Sequence, residues 1–278
     1  MDEDVLILPG LMCDAAMFVE TLKQVPRSHV IDDHYGGADR IDQMAAHVLA
    51  AAPDRFALIG HSMGARVALE IVAREPDRVT RLMLADTGVH GVRPGEMENR
   101  YALRDLGRRE GFDRLVDAWL PPMVGDAARG DPVLMDALRA MCRRAGQKVF
   151  EAQTEALLHR PETGLVLQAL TCPVSVVVGA EDRWSPPAQH REIAAGIAGA
   201  QFHVLDGAGH MAPAEKPDEF NALVRGWRAL PTKSNPPGSL RERSAAVWTR
   251  VAPVDLHISA SSRGSGRSAS AGPDRCCA

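Results

Sequence analysis

The sequence predicts an α/β fold with a mostly parallel, doubly wound sheet and an inserted helical cap. Short, continuous apolar runs alternate with helix-period segments through short connections, as is typical of strands buried on both faces of a parallel sheet. Between residues 90 and 170 the alternation stops, and only helix-period segments follow. We therefore expect residues 1–89 and 171–230 to form the core and residues 90–170 to form a cap or lid.

The first half of the predicted core alternates strand and helix throughout. Val5–Leu8 is a continuous apolar run that Pro9-Gly10 ends, and Asp39–Ala51 has its apolar residues at helical spacing. In chain order we predict strand Val5–Leu8, helix Asp14–Gln24, strand His29–Asp32, helix Asp39–Ala51, strand Phe56–Ile59, helix Ala65–Arg74 and strand Val79–Ala85.

The cap is predicted from four helix-period segments that lie between two strands of the core. These segments are Asn99–Glu110, Phe112–Leu120, Pro132–Arg144 and Gln147–His159. A helical insertion at this place lies over the carboxyl ends of the strands, where ligands bind in such folds. The alternative is a plain helical subdomain that does not contact substrate.

Strand and helix alternate again after the cap. The predicted elements are strand Cys172–Val178, helix Pro187–Ile197, strand Gln201–Leu205 and helix Pro217–Leu230. Residues 231–278 are rich in Ser, Arg, Pro and Gly, and we expect a disordered tail with one candidate strand at Ala246–Val251.

Composition and charge narrow the class of protein. A net charge of −4 argues against nucleic acid or an anionic membrane as the main partner. The acidic start of the chain does not resemble a signal peptide, and no apolar run reaches transmembrane length. The five cysteines are scattered and lack ligand-spaced partners, which predicts reduced thiols rather than a disulfide or zinc framework. We expect a cytoplasmic protein with a small-molecule substrate and no metal or other cofactor.

The stretch at residues 55–70, RFALIGHSMGARVALE, predicts a nucleophile elbow. A short apolar strand runs into Gly60-His61-Ser62-Met63-Gly64, and a helix follows. A serine on such a turn has a strained backbone and an exposed hydroxyl, and the close crossing of the chain requires glycine two residues before and after it. Ser62 is therefore the candidate nucleophile, although a Gly/Ser turn that merely caps a helix is the alternative.

A serine hydroxyl needs a general base that a carboxylate orients. Among the ten histidines His210 is the best candidate, because its Gly-rich loop follows a strand and can bring the imidazole over the sheet. Asp182, which ends the preceding strand, is the favoured carboxylate. Asp86 also ends a strand and is the rival, whereas Asp206 is too near His210 in sequence to reach behind its ring.

Acyl transfer also needs two amide donors directed at the developing oxyanion. The amide of Met63, the residue after the nucleophile, is one candidate. The loop after the first strand offers the Leu11 amide as the other. The alternative for this loop is that Pro9-Gly10 only makes a turn.

Four segments together resemble the α/β-hydrolase superfamily, in the branch of small bacterial esterases, enol-lactonases and C–C bond hydrolases. They are LPGLMCDAAMF at 8–18, GHSMG at 60–64, GAEDRWSPPAQH at 179–190 and GAGHMAP at 207–213. The resemblance implies the α/β-hydrolase fold and a triad in the order Ser, Asp, His. Two departures stand out: the superfamily's first antiparallel hairpin is expected to be absent, and the first loop lacks the His-Gly pair common in other branches.

The cap contains two groups of side chains that bear on the substrate. Its apolar residues suit a small hydrophobic or aromatic acyl group, or they hold the cap helices together: Met97, Phe112, Trp119, Met123, Met135, Met141 and Phe150. Its arginines could steer an acidic substrate or form a solvated helix face: Arg100, Arg104, Arg108, Arg109, Arg143 and Arg144.

We therefore expect a cofactor-independent serine hydrolase that cleaves a small, hydrophobic ester, thioester or lactone through an acyl-enzyme. A C–C bond hydrolase or a cofactor-free perhydrolase or haloperoxidase could use the same triad. From another class, a catalytically silent receptor could use the capped pocket, but a receptor has no need of all three triad residues. The sequence does not indicate the oligomeric state.

Overall fold

The computed structural model describes residues 3–232 and contains a six-stranded sheet. Its strands are Val5–Leu8 (β1), Ser28–Val30 (β2), Phe56–His61 (β3), Val79–Ala85 (β4), Val174–Gly179 (β5) and Gln201–Leu205 (β6). They lie in the order β2-β1-β3-β4-β5-β6, and each neighbouring pair is parallel. The predicted fold class is confirmed, and the first antiparallel hairpin is absent from the described part of the chain. The candidate strand at Ala246–Val251 and nearly all of the predicted tail lie outside the described residues.

Eleven α-helices surround this sheet within residues 3–232. They are Val19–Gln24 (α1), Ile41–Ala51 (α2), Met63–Arg74 (α3), Glu96–Glu110 (α4), Phe112–Trp119 (α5), Asp126–Arg129 (α6), Pro132–Leu158 (α7), Gly164–Ala169 (α8), Pro187–Ala195 (α9), Ala212–Glu215 (α10) and Pro217–Arg228 (α11). Short 3-10 helices are present at Ala15–Phe18, His34–Gly37 and Pro121–Met123. The sequence did not predict α6, α8 and α10, because four to six residues are too few to show a helical period.

Two predicted boundaries differ from the structure in an instructive way. The second strand is Ser28–Val30 rather than His29–Asp32, although the Ile31 amide still donates to the Ile7 carbonyl at 3.0 Å. The predicted helices Pro132–Arg144 and Gln147–His159 are joined in α7, but Gly146 between them has non-helical angles of φ 72° and ψ 175°. Gly146 therefore bends α7 at the place where the sequence separates two helices.

The core lies on both faces of the central strands. All residues of β1, β3 and β5 are buried, as the continuous apolar runs predict, and ten of the twelve residues of α3 are buried as well. Each large apolar side chain buried in this way contributes about 1.5–3 kcal/mol. The strand β3 and helix α3 thus form a rigid support for the turn between them, which contains Ser62.

The helices α4 to α8 lie between β4 and β5 in the chain and belong to the same compact unit as the sheet. Two polar contacts join α7 to the start of the chain. Arg144 donates to both carboxylate oxygens of Asp14 at 2.7 and 2.9 Å, and Gln153 Oε1 accepts from the Met12 amide at 2.8 Å. The helical insertion is therefore connected directly to the loop that follows β1.

None of the helices formed by residues 3–232 combines the length and the apolar character that crossing a membrane requires.

Candidate active site

Ser62 lies on the turn between β3 and α3 with φ 54° and ψ −115°, a strained conformation for a residue with a side chain. Such a backbone costs on the order of 1–3 kcal/mol and persists only when its surroundings hold it. Here the Ser62 amide donates to the Ala85 carbonyl at 2.8 Å, and the Thr87 hydroxyl donates to the Ser62 carbonyl at 2.9 Å. The end of β4 therefore stabilises the strained turn.

Each glycine of the turn lies against a backbone segment that leaves no room for a side chain, and the two segments differ. A side chain on Gly60 would collide with the backbone of α3 at Gly64 and Ala65, as expected for a chain that crosses itself. A side chain on Gly64 would instead collide with the carbonyl of Leu8, at the end of β1. Gly64 thus allows α3 to pack closely against the strand before the candidate oxyanion loop.

The structure brings Ser62, His210 and Asp182 into one hydrogen-bonded chain. His210 Nε2 lies 2.8 Å from Ser62 Oγ, and His210 Nδ1 lies 2.8 Å from Asp182 Oδ2. Because an ionised carboxylate only accepts, this contact places the imidazole proton on Nδ1 and leaves Nε2 free to accept the serine proton. The arrangement supplies a nucleophile, a general base and a carboxylate that orients the base.

Asp182 is almost fully buried, and its other oxygen is also occupied. Oδ1 accepts from the amides of Trp184 and Ser185, both at 2.9 Å. Burial raises the pKa of Asp182, but the electrostatic attraction to the His210 ring and the hydrogen bonds outweigh burial, so the pKa lies below its ordinary value. Asp182 therefore stays ionised beside the imidazole.

Asp86, the rival carboxylate, does not contact His210. Its Oδ1 accepts from the Gly179 amide at 2.9 Å, and its Oδ2 lies 3.9 Å from His61 Nε2. Burial, followed by the negative charge of Asp182, raises the pKa of Asp86 well above its ordinary value. A carboxyl that resists ionisation and joins β4 to β5 has a structural role in this geometry.

Two histidines that the sequence does not select as bases lie beside the triad. The His61 Nε2 donates to the His210 carbonyl at 2.8 Å, and the His61 ring centroid lies 5.4 Å from that of His210. His190 Nε2 accepts from the Thr87 amide at 2.7 Å. Burial lowers the pKa of His61 to about 3 and that of His190 to about 4, so both rings are neutral. Each ring holds a backbone group, the His210 carbonyl for His61 and the Thr87 amide for His190.

We expect these two histidines to make the protein unstable in mild acid. Below pH 6.5 the unfolded chain takes up protons on both imidazoles, whereas the folded chain does so only near pH 4 and below. The free energy of unfolding should therefore fall as the pH drops from about 6.5 to 4, by up to about 1.4 kcal/mol per pH unit for each histidine. Urea unfolding at pH 7, 6 and 5 measures this slope. His190→Gln should reduce it and His159→Gln, which alters an exposed imidazole, should not; equal slopes in all three proteins would refute the assignment.

The two candidate oxyanion donors lie at the same cavity as Ser62. Leu11 and Met63 both line it, and a side chain on Gly10, the residue before Leu11, would approach the Ser62 Cβ to 2.9 Å. Met63 begins α3, so its amide has no carbonyl partner one turn earlier in the helix. Within residues 3–232 the Leu11 amide donates no hydrogen bond. Both amides are thus available to an oxyanion, and their role remains a prediction.

Two positioning residues were not predicted from the sequence. Gln153 holds the Met12 amide, and Met12 itself has a positive φ of 59°. The carboxylate of Glu215 accepts from the amides of Gly125, Gly209 and Met211 at 2.8, 2.9 and 3.0 Å. Glu215 therefore joins the loop of His210 to the loop that precedes α6.

We expect Glu215→Ala to impair both stability and catalysis. The substitution leaves three largely buried amides without an acceptor, and each costs about 1–3 kcal/mol. The melting temperature should fall by about 5 °C or more, and kcat by roughly tenfold, as the His210 loop loses its support. Thermal melts and initial rates test this beside Glu219→Ala, an exposed carboxylate on α11. A Glu215→Ala protein that behaves like this control would contradict the role.

The cavity above Ser62 has a volume of about 240 Å³ and a lining that is both apolar and basic. Of the predicted cap residues, Trp119, Met123 and Arg100 line it, whereas Met135 and Met141 are buried in the core and Met97 is exposed. Arg108, Arg143 and Arg144 are paired with carboxylates away from the cavity. Three lining arginines outside the predicted set, Arg66, Arg93 and Arg160, make the cavity more basic than expected.

Residues 3–232 contain no group of three or more His, Cys, Asp or Glu side chains suited to a metal ion.

Comparisons with known proteins agree with this fold. A family model described as the alpha/beta hydrolase family matches residues 20–223. The chain is 29% identical over 182 residues to a 2-hydroxy-6-oxononadienedioate/2-hydroxy-6-oxononatrienedioate hydrolase of Klebsiella pneumoniae, a match that covers 63% of each chain. The chain thus spans less than two thirds of the length of this curated relative.

Solved structures are similar over a larger part of the chain. A thermophilic esterase from Thermogutta terrifontis is 26% identical with a TM-score of 0.72, and the match covers 82% of this chain and 90% of the esterase. The enol-lactonase from Burkholderia xenovorans LB400 is 23% identical with a TM-score of 0.73, and the match covers 83% and 93%. The second similarity shows the fold alone.

Proposed function

Because the chain belongs to the alpha/beta hydrolase family, we propose that it is a serine hydrolase that cleaves a small ester, thioester or lactone. The observation that carries this proposal is the hydrogen-bonded chain Ser62–His210–Asp182, with its two 2.8 Å contacts, at the base of a small cavity. The similarity to the Thermogutta terrifontis esterase supports ester hydrolysis as the reaction class.

Acylation begins when Ser62 Oγ attacks the carbonyl carbon of the substrate. His210 Nε2 takes the hydroxyl proton, and the carbonyl oxygen becomes an oxyanion that accepts from the Leu11 and Met63 amides. The bond to the leaving oxygen or sulfur then breaks, and that atom takes the proton from Nε2. The acyl group remains on Ser62 Oγ.

Deacylation repeats these steps with water. His210 Nε2 takes a proton from the water while its oxygen attacks the acyl carbon, and the same two amides hold the second oxyanion. The bond to Ser62 Oγ breaks, Oγ recovers its proton from Nε2, and the carboxylic acid leaves. Asp182 keeps its negative charge throughout and stabilises the imidazolium formed in each half-reaction.

Labelling with a fluorophosphonate probe and turnover of p-nitrophenyl esters of increasing chain length test this proposal together. We expect wild-type protein to be labelled at Ser62 and to hydrolyse short esters, whereas Ser62→Ala and heat-denatured wild-type protein should remain unlabelled. Labelling without ester turnover would favour C–C bond or perhydrolase chemistry on the same residues. A folded protein that neither reacts with the probe nor turns over esters would favour the receptor.

A further inference from the structure

The cavity above Ser62 is strongly positive, although the whole chain has a net charge of −4. Four arginines line it: Arg66, Arg93, Arg100 and Arg160. The single acidic side chain of the lining is Glu96. Three positive charges at this site therefore lack a compensating carboxylate in the lining.

Glu96 is already saturated by its neighbours. Its Oε1 accepts from Arg160 Nη1 at 2.7 Å and from Arg100 Nε at 2.9 Å. Its Oε2 accepts from Arg160 Nη2 at 2.6 Å and from the Arg93 amide at 3.2 Å. Burial raises the pKa of Glu96, but these arginines outweigh burial and lower it to about 2. Glu96 is thus a fixed anion that holds Arg160 and Arg100 and has no further acceptor for Arg66.

Among these four arginines, Arg66 is buried without a carboxylate in contact with its guanidinium. It is 6% exposed, and its Nη1 donates to the His90 carbonyl at 3.0 Å. Within residues 3–232 it makes no other hydrogen bond and no ion pair. A buried guanidinium that no carboxylate contacts is costly, because burial removes water and the charge of Glu96 replaces it only in part. Burial and the neighbouring arginines accordingly lower the pKa of Arg66 to about 9, a value at which it is still charged at neutral pH.

Arg66 lies near Ser62, the candidate nucleophile, both in the chain and in the fold. Ser62 caps α3 and Arg66 lies four residues later, on its first turn. Both residues line the same cavity. An anionic group on a small substrate at Ser62 can therefore reach the guanidinium, which presents donors in the fork geometry that a carboxylate matches.

We propose that this pocket selects small esters or lactones that carry a free carboxylate, and that Arg66 binds this carboxylate. The inference rests on the proposed hydrolase function and names its substrate class. Arg93 and Arg100 add to the positive field of the cavity, while the ion pair between Arg160 and Glu96 is fixed. The neutral His90 beside Arg66 offers no competing charge, because burial and the arginines lower its pKa to about 4.

The test compares esters that differ only in charge. On the acyl side the pair is 4-nitrophenyl hydrogen adipate and its neutral methyl ester. On the alcohol side it is 4-carboxyphenyl butyrate and its neutral methyl ester. The wild-type protein should favour the anionic member of at least one pair by roughly 30-fold or more in kcat/KM. For that pair, Arg66→Gln should reduce the anionic-to-neutral ratio by roughly 30-fold or more, chiefly through KM, as for the loss of one partner of a buried charge pair.

Three variants separate binding from structure. Arg66→Gln keeps a donor for the His90 carbonyl, and labelling by the fluorophosphonate probe shows whether Ser62 remains reactive. Arg66→Lys keeps the charge without the fork and should restore part of the ratio. Arg109→Gln removes the same charge from an exposed position of α4 and should leave the ratio as in wild type.

The outcomes distinguish this inference from the proposed function. Turnover of both members of each pair with no anionic preference, or a preference that survives Arg66→Gln, would overturn the inference and leave the hydrolase standing. If no ester is hydrolysed, calorimetric titration of adipate into wild-type and Arg66→Gln proteins decides the question. Binding that depends on Arg66 would support the anion site without the hydrolase, and equal or absent binding would refute it.

Discussion

Ser62→Ala and His210→Ala are each expected to lower kcat for ester hydrolysis on the order of 10³-fold or more. Without the hydroxyl no acyl-enzyme can form, and without the imidazole no group takes the serine proton. Because the residues act as a unit, the double variant should be about as slow as either single variant. Initial rates with a short p-nitrophenyl ester measure both effects.

The Ser62→Ala protein should keep its fold, which makes the result interpretable. Alanine retains Cβ, so the strain at φ 54° is unchanged, and the contacts that hold the turn come from the Ser62 backbone amide and carbonyl. Near wild-type kcat in a folded Ser62→Ala protein would refute the mechanism. A thermal melt beside wild type supplies the control for folding.

The second large effect is expected from Asp182→Asn. The Asp182 Oδ1 atom accepts from two backbone amides, so the amide oxygen of asparagine should take that place and turn its NH2 group toward His210 Nδ1. The imidazole would then carry its proton on Nε2 and could no longer accept from Ser62. The same change in a well-studied triad reduced kcat by about 10⁴-fold.

Asp86→Asn is the matched control for this prediction. It removes a second buried carboxylate at the end of a strand, but Asp86 contacts the Gly179 amide rather than His210. Asparagine can keep that contact through its oxygen, and its NH2 takes the place of an oxygen that has no hydrogen-bond donor. Activity should therefore fall far less than in Asp182→Asn. If Asp86→Asn were instead the more damaging change, the assignment of the carboxylate would be wrong.

The central strands β1, β3, β4 and β5 were predictable because they are buried on both faces. The run Val79–Ala85 has no polar alternation to confuse it with an exposed strand, and its predicted bounds match β4. Short elements were less predictable: α10 has four residues, too few for a periodic pattern, and tertiary contacts hold it. Within residues 3–232, β2 pairs with β1 alone, so its ends depend on contacts with β1 rather than on its own composition.

The candidate site was predictable where a local motif imposes the geometry. Ser62, His210 and Asp182 lie on turns that follow predicted strands and contain glycines, and this pattern indicates such turns in the sequence. The structure places their side chains in contact. Gln153 and Glu215 hold backbone amides of distant segments, with separations of 141 and 90 residues to Met12 and Gly125, which no local pattern reveals. The position of Arg66 on the first turn of the helix that follows Ser62 was a usable signal for this residue.

The hydrogen bond between Gln153 and the Met12 amide also relates cap position to reactivity. Because Met12 directly follows Leu11, any displacement of α7 removes the support of the loop that contains a candidate oxyanion donor. The position of α7 and the strength of oxyanion binding are then coupled, and this coupling is reciprocal. A boronic acid bound to Ser62 should therefore slow hydrogen exchange of the Met12 amide and of α7 around Gln153, and Gln153→Ala should abolish this protection.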